Sequence, residues 1–257
     1  MDPQKAPTDD RTIERIEEKY LISRSDKSAL LKKLQKHLKK DEYYKESVLS
    51  LYFDTKFSDL ANRSIDRPPF REKIRVRAYN VPTKTSLVFF EMKSKLATHG
   101  VKMGNKRRLV LPLKDFYAYV EKGKDLVKIA EKSSKSDPKQ LQIARELDYL
   151  TKYYCLEPKV LISADRTAYV GKENPGFRLT FDERLRFRTT DLRLERGTKG
   201  EKFFPKTSSN NIIMEVKTLD SMPLWFVREL SNLKIYPDRF SKYGKIYQLI
   251  TERKINV

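Results

Sequence analysis

Two segments of the chain alternate polar, mostly basic residues with apolar ones, which is the spacing that puts side chains of one kind on one face of a β-strand. They are residues 71–79, REKIRVRAY, and residues 177–188, FRLTFDERLRFR. Guanidinium and ammonium groups gathered on one face are the usual ligands of phosphate oxygens. The polar faces are predicted to carry Arg71, Lys73, Arg75 and Arg77 in the first strand and Arg178, Asp182, Arg184, Arg186 and Arg188 in the second. The apolar faces are predicted to carry Ile74, Val76 and Ala78, and Phe177, Leu179, Phe181, Leu185 and Phe187.

A few carboxylates lie among the cations of these and other candidate strands: Glu17, Glu91, Asp182 and Glu215. Carboxylates would repel a phosphate ligand unless a divalent metal ion bridged them to it, and Mg²⁺ is commonly bound through one or two carboxylates plus phosphate oxygens. About ten cations would suit a triphosphate or polyphosphate better than a single phosphate. The pattern therefore favours phosphoryl-transfer chemistry, in which the protein mainly positions groups and offsets developing charge. The sequence has no GxxxxGKS/T motif and no Gly-rich kinase loop, which argues against a P-loop or kinase fold.

Composition narrows the class of partner. The 257 residues include 55 Lys and Arg against 35 Asp and Glu, a net charge of +20 that favours nucleic acid, an anionic membrane surface, nucleotides or polyphosphate. The lone Cys155 excludes an internal disulfide and is compatible with a reducing cytosol, so we expect a cytoplasmic protein. His37 and His99 are too few for a His-rich zinc site. No apolar run is long enough for a transmembrane helix, and residues 1–12 are expected to be a disordered lead-in without a signal peptide.

Residues 13–257 are expected to form one domain with about eight strands and several helices. For any single strand, the simpler interpretation is an open antiparallel sheet whose basic face is solvated. Five or more strands repeat the alternation, however, and about eight strands closed into a barrel would enclose space for one small ligand. Helices near residues 26–38, 113–152 and 223–250 could then cover the outward apolar faces. We therefore predict an α+β fold, an eight-stranded antiparallel β-barrel tunnel with a basic interior, with residues 113–152 as a helical insertion.

The order of several short motifs resembles a known family. These motifs are IERIEEKYLI, SLYFDT, IRVRAY, FFEMKSK, KRRLVLP, ADRTAYVG, FRLTFDERL, IMEVKTL and DRFSKYGKIY. Together they resemble the vacuolar transporter chaperone (VTC) domain, the polyphosphate polymerase branch of the triphosphate tunnel metalloenzyme (CYTH-like) superfamily. The resemblance extends from about Ile13 to Leu249. It implies an ATP–polyphosphate phosphotransferase that acts on ATP and inorganic polyphosphate or triphosphate, with Mn²⁺ or Mg²⁺ as cofactor.

The same resemblance implies a set of site residues. The phosphate ligands would be Lys19, Arg75, Arg77, Lys93, Lys106, Arg108, Arg166, Arg178, Lys217 and Lys242. The metal ligand would be Glu215, which joins Lys19, Arg75, Arg77, Lys93 and Arg166 as the catalytic group. The supporting residues would be Glu17, Glu91, Asp182, Ser241 and Tyr243. Arg71 and Lys73 are expected only to line the entrance.

Alternatives remain open for individual residues and for the function. Lys106 and Arg108 could be exposed charges of an edge strand, and Glu215 could merely pair with a neighbouring cation. The hydrolytic branch of the superfamily has an ExExK motif, whereas here only Glu17 and Lys19 match and Arg15 departs from it, which favours a polymerase. The alternative functions are an inorganic or nucleoside triphosphatase, a non-catalytic polyphosphate-binding module and a nucleic-acid-binding protein. No base-stacking aromatic residues interleave the basic strands, which argues against a specific nucleic-acid partner.

Overall fold

A computed structural model describes residues 16–98, 101–133, 137–205, 207–219 and 221–255 of the chain. The predicted lead-in at residues 1–12 lies outside these ranges. The strands are β1 (Ile16–Ser23), β2 (Leu38–Asp54), β3 (Phe70–Tyr79), β4 (Leu87–Thr98), β5 (Val101–Pro112), β6 (Glu157–Gly171), β7 (Arg178–Arg188), β8 (Glu201–Lys202) and β9 (Asn210–Thr218). The helices are α1 (Arg24–Leu34), α2 (Asp59–Asp66), α3 (Leu113–Lys122), α4 (Leu126–Ser133), α5 (Pro138–Tyr153), α6 (Leu224–Asn232) and α7 (Lys242–Ile255). None of the described helices is long and apolar enough to cross a membrane.

Local chemistry explains where several helices begin and end. The Ser23 hydroxyl accepts a hydrogen bond from the Asp26 amide, and the Asp26 carboxylate accepts one from the Ser23 amide, both at 3.0 Å. This capping box starts α1 directly after β1. The helix α3 ends at Gly123, whose φ of 62° lies in the left-handed region and whose amide donates to the Tyr119 carbonyl.

All pairs of neighbouring strands in the sheet are antiparallel. The strands follow the order β1-β9-β7-β6-β2-β3-β4-β5, and the short β8 pairs with β7. Five strands lie between β1 and β4 in this order, so a flat sheet would hold them about 29 Å apart. Instead, Lys93 on β4 donates a hydrogen bond to Glu17 on β1 at 3.2 Å. The sheet therefore curls strongly, and the face that carries Glu17 and Lys93 is concave.

The predicted α+β architecture and the path of eight antiparallel strands are present. Closure into a barrel is not confirmed, because over the described residues no ladder joins the edge strands β1 and β5. The curl brings the polar faces of distant strands together without a final row of backbone hydrogen bonds.

The convex face of the sheet is covered by helices. Apolar side chains of β2–β5, such as Leu51, Val76 and Phe90, pack with α3, α4 and α5 in one buried cluster. Those of β1, β7 and β9, such as Met214, pack with α1 and α6 in a second. The apolar faces of these strands therefore point outward, as the alternation predicts for β3.

The predicted faces of β7 are wrong beyond Asp182. Four residues of β7, Glu183 to Arg186, lie opposite three of β6, Ser163 to Asp165, and Arg184 has a left-handed φ of 49°. This β-bulge shifts the alternation by one residue. Leu185 and Phe187 therefore lie on the concave face, where they pack in a third cluster with residues of α7.

The same bulge turns Arg186 and Arg188 away from the concave face. Arg186 donates to the carbonyl of Thr198 at 3.3 Å. Arg188 donates to several backbone carbonyls of the 191–199 loop, including that of Gly197 at 2.9 Å. These two arginines therefore organise a loop and are not available to a ligand in the concavity.

Candidate functional site

Two rows of charged side chains cross β3, β4 and β5 on the concave face. The register places Arg75 beside Glu91, and Glu91 beside Arg108. One step along the strands, the second row consists of Lys73, Lys93 and Lys106. The first row alternates in charge, whereas the second is entirely cationic. Lys106 and Arg108 belong to the edge strand β5, yet both turn to the concave side.

Glu91 is the centre of the first row. Only 1% exposed, it accepts hydrogen bonds from Arg75 and Arg108, each at 2.9 Å, and Lys106 lies 2.7 Å from it. Burial would raise its pKa, but Arg75, Arg77, Lys106 and Arg108 outweigh burial and hold the pKa of Glu91 well below its usual range. Glu91 is therefore an ionised carboxylate that orients cations.

Asp182 on β7 is a second buried carboxylate that orients cations. It is 2% exposed and receives two hydrogen bonds from Arg166 on β6, at 2.7 and 2.8 Å, in bidentate geometry. Lys242 at the start of α7 adds a third contact at 2.5 Å. Burial opposes ionisation, yet Arg166 and Lys242 keep the pKa of Asp182 well below its usual range.

Two further carboxylates, Glu17 on β1 and Glu215 on β9, lie on neighbouring strands. Glu215 lies 2.5 Å from Lys217 and 3.9 Å from Lys19, while Glu17 lies 3.5 Å from Lys19 and 3.2 Å from Lys93. Burial and the charge of Glu215 raise the pKa of Glu17, but Lys93, Lys19 and Lys217 lower it to about 2. Burial likewise opposes the ionisation of Glu215, and its lysine neighbours nevertheless keep its pKa well below the usual range. Glu17 and Glu215 are thus carboxylates whose ion pairs are with lysines.

Of the carboxylates on the concave face, Glu17 and Glu215 are best suited to bind a divalent metal ion. Carboxylate oxygens are the ligands that Mg²⁺ and Mn²⁺ prefer, and lysine partners on flexible stems can move aside. No group of three or more His, Cys, Asp or Glu residues suited to a metal ion occurs in the described part of the chain. The pair therefore fits an ion that takes one or two ligands from the protein and the rest from phosphate oxygens.

The FSKY motif brings three consecutive side chains to the concave face from outside the sheet. Ser241 accepts a hydrogen bond from Lys73 at 2.9 Å, and Lys242 binds Asp182. The ring of Tyr243 stacks on that of Tyr52 with centroids 4.6 Å apart. The start of α7 therefore contacts side chains of β2, β3 and β7 together.

The remaining predicted residues lie nearby. Arg77 donates to Ser50 at 3.4 Å, and burial and the charge of Arg75 lower its pKa. Arg178 lies opposite Lys217 in the sheet, and its partly exposed side chain pairs with Asp41 at 2.9 Å. All sixteen residues predicted for the site lie within the described ranges, and their side chains are distributed around the concave face and its edge.

Sequence reasoning missed two residues of this surface. Tyr52 accepts a hydrogen bond from Arg75 at 3.2 Å, and Ser50 holds Arg77. Both belong to the segment SLYF, in which polar and apolar side chains alternate, so the same period of two could have indicated them. Lys73, expected only to line the entrance, shares the parity of Arg75 and Arg77 and lies in the second row beside Lys93.

The fold and its cationic concavity agree with the family that the sequence resembles. The sequence model described as VTC domain matches residues 14–251. The chain therefore belongs to the VTC domain family, and the predicted membership is confirmed. A comparison with curated proteins finds no match.

Solved structures show more distant likeness. One is HpAC1 from Hippeastrum, proposed to be an adenylyl cyclase and described as having a dominant triphosphatase activity, with 17% identity, a TM-score of 0.48 and coverage of 88% of this chain and 91% of that one. The PH1819 protein of Pyrococcus horikoshii has 10% identity and a TM-score of 0.43, with 91% and 98% covered. A protein of Vibrio parahaemolyticus proposed to be an adenylate cyclase has 9% identity and a TM-score of 0.44, with 91% and 97% covered. At these values the likenesses carry no argument about activity, and the family assignment rests on the VTC match.

Proposed function

We propose that this protein is a metal-dependent polyphosphate polymerase that transfers the γ-phosphoryl group of ATP to a growing polyphosphate chain. A terminal phosphate oxygen of the acceptor attacks the γ-phosphorus and forms a new P–O–P link. The bond from that phosphorus to the β,γ-bridging oxygen breaks, and ADP leaves with the electron pair. The protein's part in such a reaction is to position both anions and to offset their charge.

The observation that carries the proposal is the charge of the concave face. The ten predicted phosphate-binding cations outnumber the four carboxylates predicted with them, Glu17, Glu91, Asp182 and Glu215. Most of these cations are only partly exposed, and the side chains of Arg75, Arg166 and Lys242 are 20% exposed or less. Gathering this many partly buried cations without enough counter-charge is unfavourable unless an anion joins them. A chain of phosphates supplies one negative charge or more at every link. The predicted cations that could bind it come from seven strands of the curled sheet and from α7.

The contacts of each residue indicate its role in the proposed reaction. Arg75 and Arg108 are held by Glu91, and Arg166 by Asp182, so these guanidinium groups are preorganised and lose little freedom when a phosphate binds. A divalent ion, Mn²⁺ or Mg²⁺, held by Glu215 with Glu17 beside it, would neutralise charge on the phosphate oxygens.

The direct test is product analysis. Purified protein is incubated with ATP and Mn²⁺, and chain phosphate and orthophosphate are resolved by gel electrophoresis and ³¹P NMR. We expect polyphosphate and ADP. Arg75→Gln should abolish chain formation, whereas Arg228→Gln, which changes an exposed arginine of α6, should leave it unchanged. Lys93→Gln is a second loss-of-function variant in case Arg75→Gln unfolds.

A triphosphatase is the second candidate, and the ion pair between Lys19 and Glu17 favours it. These two residues retain part of the ExExK pattern of the hydrolytic branch, and they contact each other at 3.5 Å. If orthophosphate is the only product, the polymerase proposal is overturned in favour of hydrolysis. If nucleotide and polyphosphate bind without turnover, the protein is a binding module.

A further inference from the structure

Lys73 has a different kind of partner from the five lysines predicted to bind phosphate. Lys19, Lys93, Lys106, Lys217 and Lys242 each lie within ion-pair distance of a carboxylate. Lys73 donates instead to the hydroxyl of Ser241 at 2.9 Å. No ion pair joins Lys73 to a carboxylate in the residues that the structure describes.

The charged side chains that act most strongly on Lys73 are cations. They are Arg75 on its own strand, Lys93 and Lys95 on β4, and Lys19 on β1. Burial, and after it the charges of these four cations, together lower the pKa of Lys73 to about 7. An ammonium in this position is poorly stabilised until an anion arrives.

Ser241 adds a second polar group to the same spot. Its oxygen accepts the hydrogen bond from Lys73 and another from the Gly244 amide at 3.2 Å. Since both of these contacts use the oxygen as acceptor, the O–H proton of Ser241 can be donated to a further acceptor. An ammonium and a hydroxyl side by side match the oxygens of one phosphate group.

We infer that Lys73 and Ser241 form a phosphate-binding subsite for a triphosphate or polyphosphate ligand, an inference that rests on the proposed function. Lys73 then takes up a proton from solvent as the ligand binds, because the phosphate oxygens stabilise its charged form. Ligand affinity at this subsite consequently depends on pH through Lys73. Neither the VTC match nor the motif resemblance assigns this role.

The test is calorimetric titration of the whole chain with sodium tripolyphosphate between about pH 6 and pH 9. Wild type is compared at each pH with Lys73→Gln and Lys73→Arg, so that titration of the ligand itself cancels in the ratios. At the acid end, wild type should bind about tenfold more tightly than Lys73→Gln, since one charge-assisted hydrogen bond is lost. This advantage should shrink as the pH rises above 7. Lys73→Arg, whose guanidinium stays charged, should bind more tightly than wild type at the alkaline end.

Two controls separate the outcomes. Lys32→Gln removes an exposed lysine of α1 and should bind as wild type does. A ratio of wild type to Lys73→Gln that stays near one, or that does not change with pH, overturns the inference. If that ratio behaves as expected but ATP yields no chains, the subsite stands and the polymerase proposal fails. If polyphosphate chains form while Lys73→Gln binds tripolyphosphate as wild type does, the polymerase proposal stands and the subsite inference fails.

Discussion

The hydroxyl of Tyr243 donates a hydrogen bond to the buried carboxylate of Asp54 at 2.5 Å, and this contact ties α7 to the end of β2. Asp54 also accepts the amides of Leu60 and Ala61, at 2.9 and 2.8 Å, and so caps α2 from outside the helix. The residue at the usual capping position, Ser58, makes no such bond with its side chain. A single carboxylate therefore anchors α2 and the FSKY segment, which in turn places Ser241 and Lys242.

Tyr243→Phe should lower the free energy of unfolding by about 1–3 kcal/mol, because it leaves a buried carboxylate without one donor while the stack on Tyr52 remains. Urea unfolding followed by circular dichroism measures the difference. Tyr236→Phe, which changes a tyrosine that is 72% exposed, is the matched control and should be neutral. Equal stability of the two variants would contradict the anchoring role.

Glu91→Gln should destabilise the protein by about 3 kcal/mol, because Arg75, Lys106 and Arg108 would then face one another without their shared counter-charge. Saturating tripolyphosphate should recover part of the loss, since the ligand supplies negative charge to the same cations. Thermal unfolding with and without the ligand tests both statements. Glu157→Gln, at an exposed position, serves as control. A loss that the ligand does not reduce would argue against phosphate binding at this row.

Stability should fall steeply in acid. The pKa values of Glu17, Glu91, Asp182 and Glu215 are all lowered in the folded state, that of Glu17 from 4.5 to about 2. A carboxylate with a depressed folded-state pKa contributes stability that is complete above its unfolded pKa and is lost as the pH falls through the folded value. We therefore expect the free energy of unfolding to decline from about pH 5 towards pH 2. Glu17→Gln should flatten part of this decline, and an unchanged profile would refute the assignment.

Glu215→Gln should abolish turnover of ATP while tripolyphosphate still binds at least as tightly as to wild type. The substitution removes the proposed metal ligand but also removes a negative charge from a cationic site. Product analysis and calorimetry on one preparation separate the two effects. Glu201→Gln, at an exposed glutamate, should change neither. Retained turnover in Glu215→Gln would move the metal site elsewhere.

The alternation of residue types predicted the faces of β3 correctly because side-chain direction in a regular strand is a local property. It predicted β7 correctly only as far as Asp182, since the bulge at Arg184 shifts the alternation and brings Leu185 and Phe187 against α7. The family resemblance includes both the FSKY segment and Asp54, in SLYFDT, but not the contact between Asp54 and Tyr243, which lie 189 residues apart in the chain.

The sequence by itself determined the charge of the site, the parity of its regular strand segments and the family to which the chain belongs. Only the tertiary structure decided which cations have carboxylate partners. That Lys93 reaches Glu17 across five strands, and that Lys73 meets Ser241 in place of a carboxylate, depends on the curl of the sheet and on where α7 enters it. Curvature arises from the summed twist and packing of all the strands, so no single segment encodes these contacts.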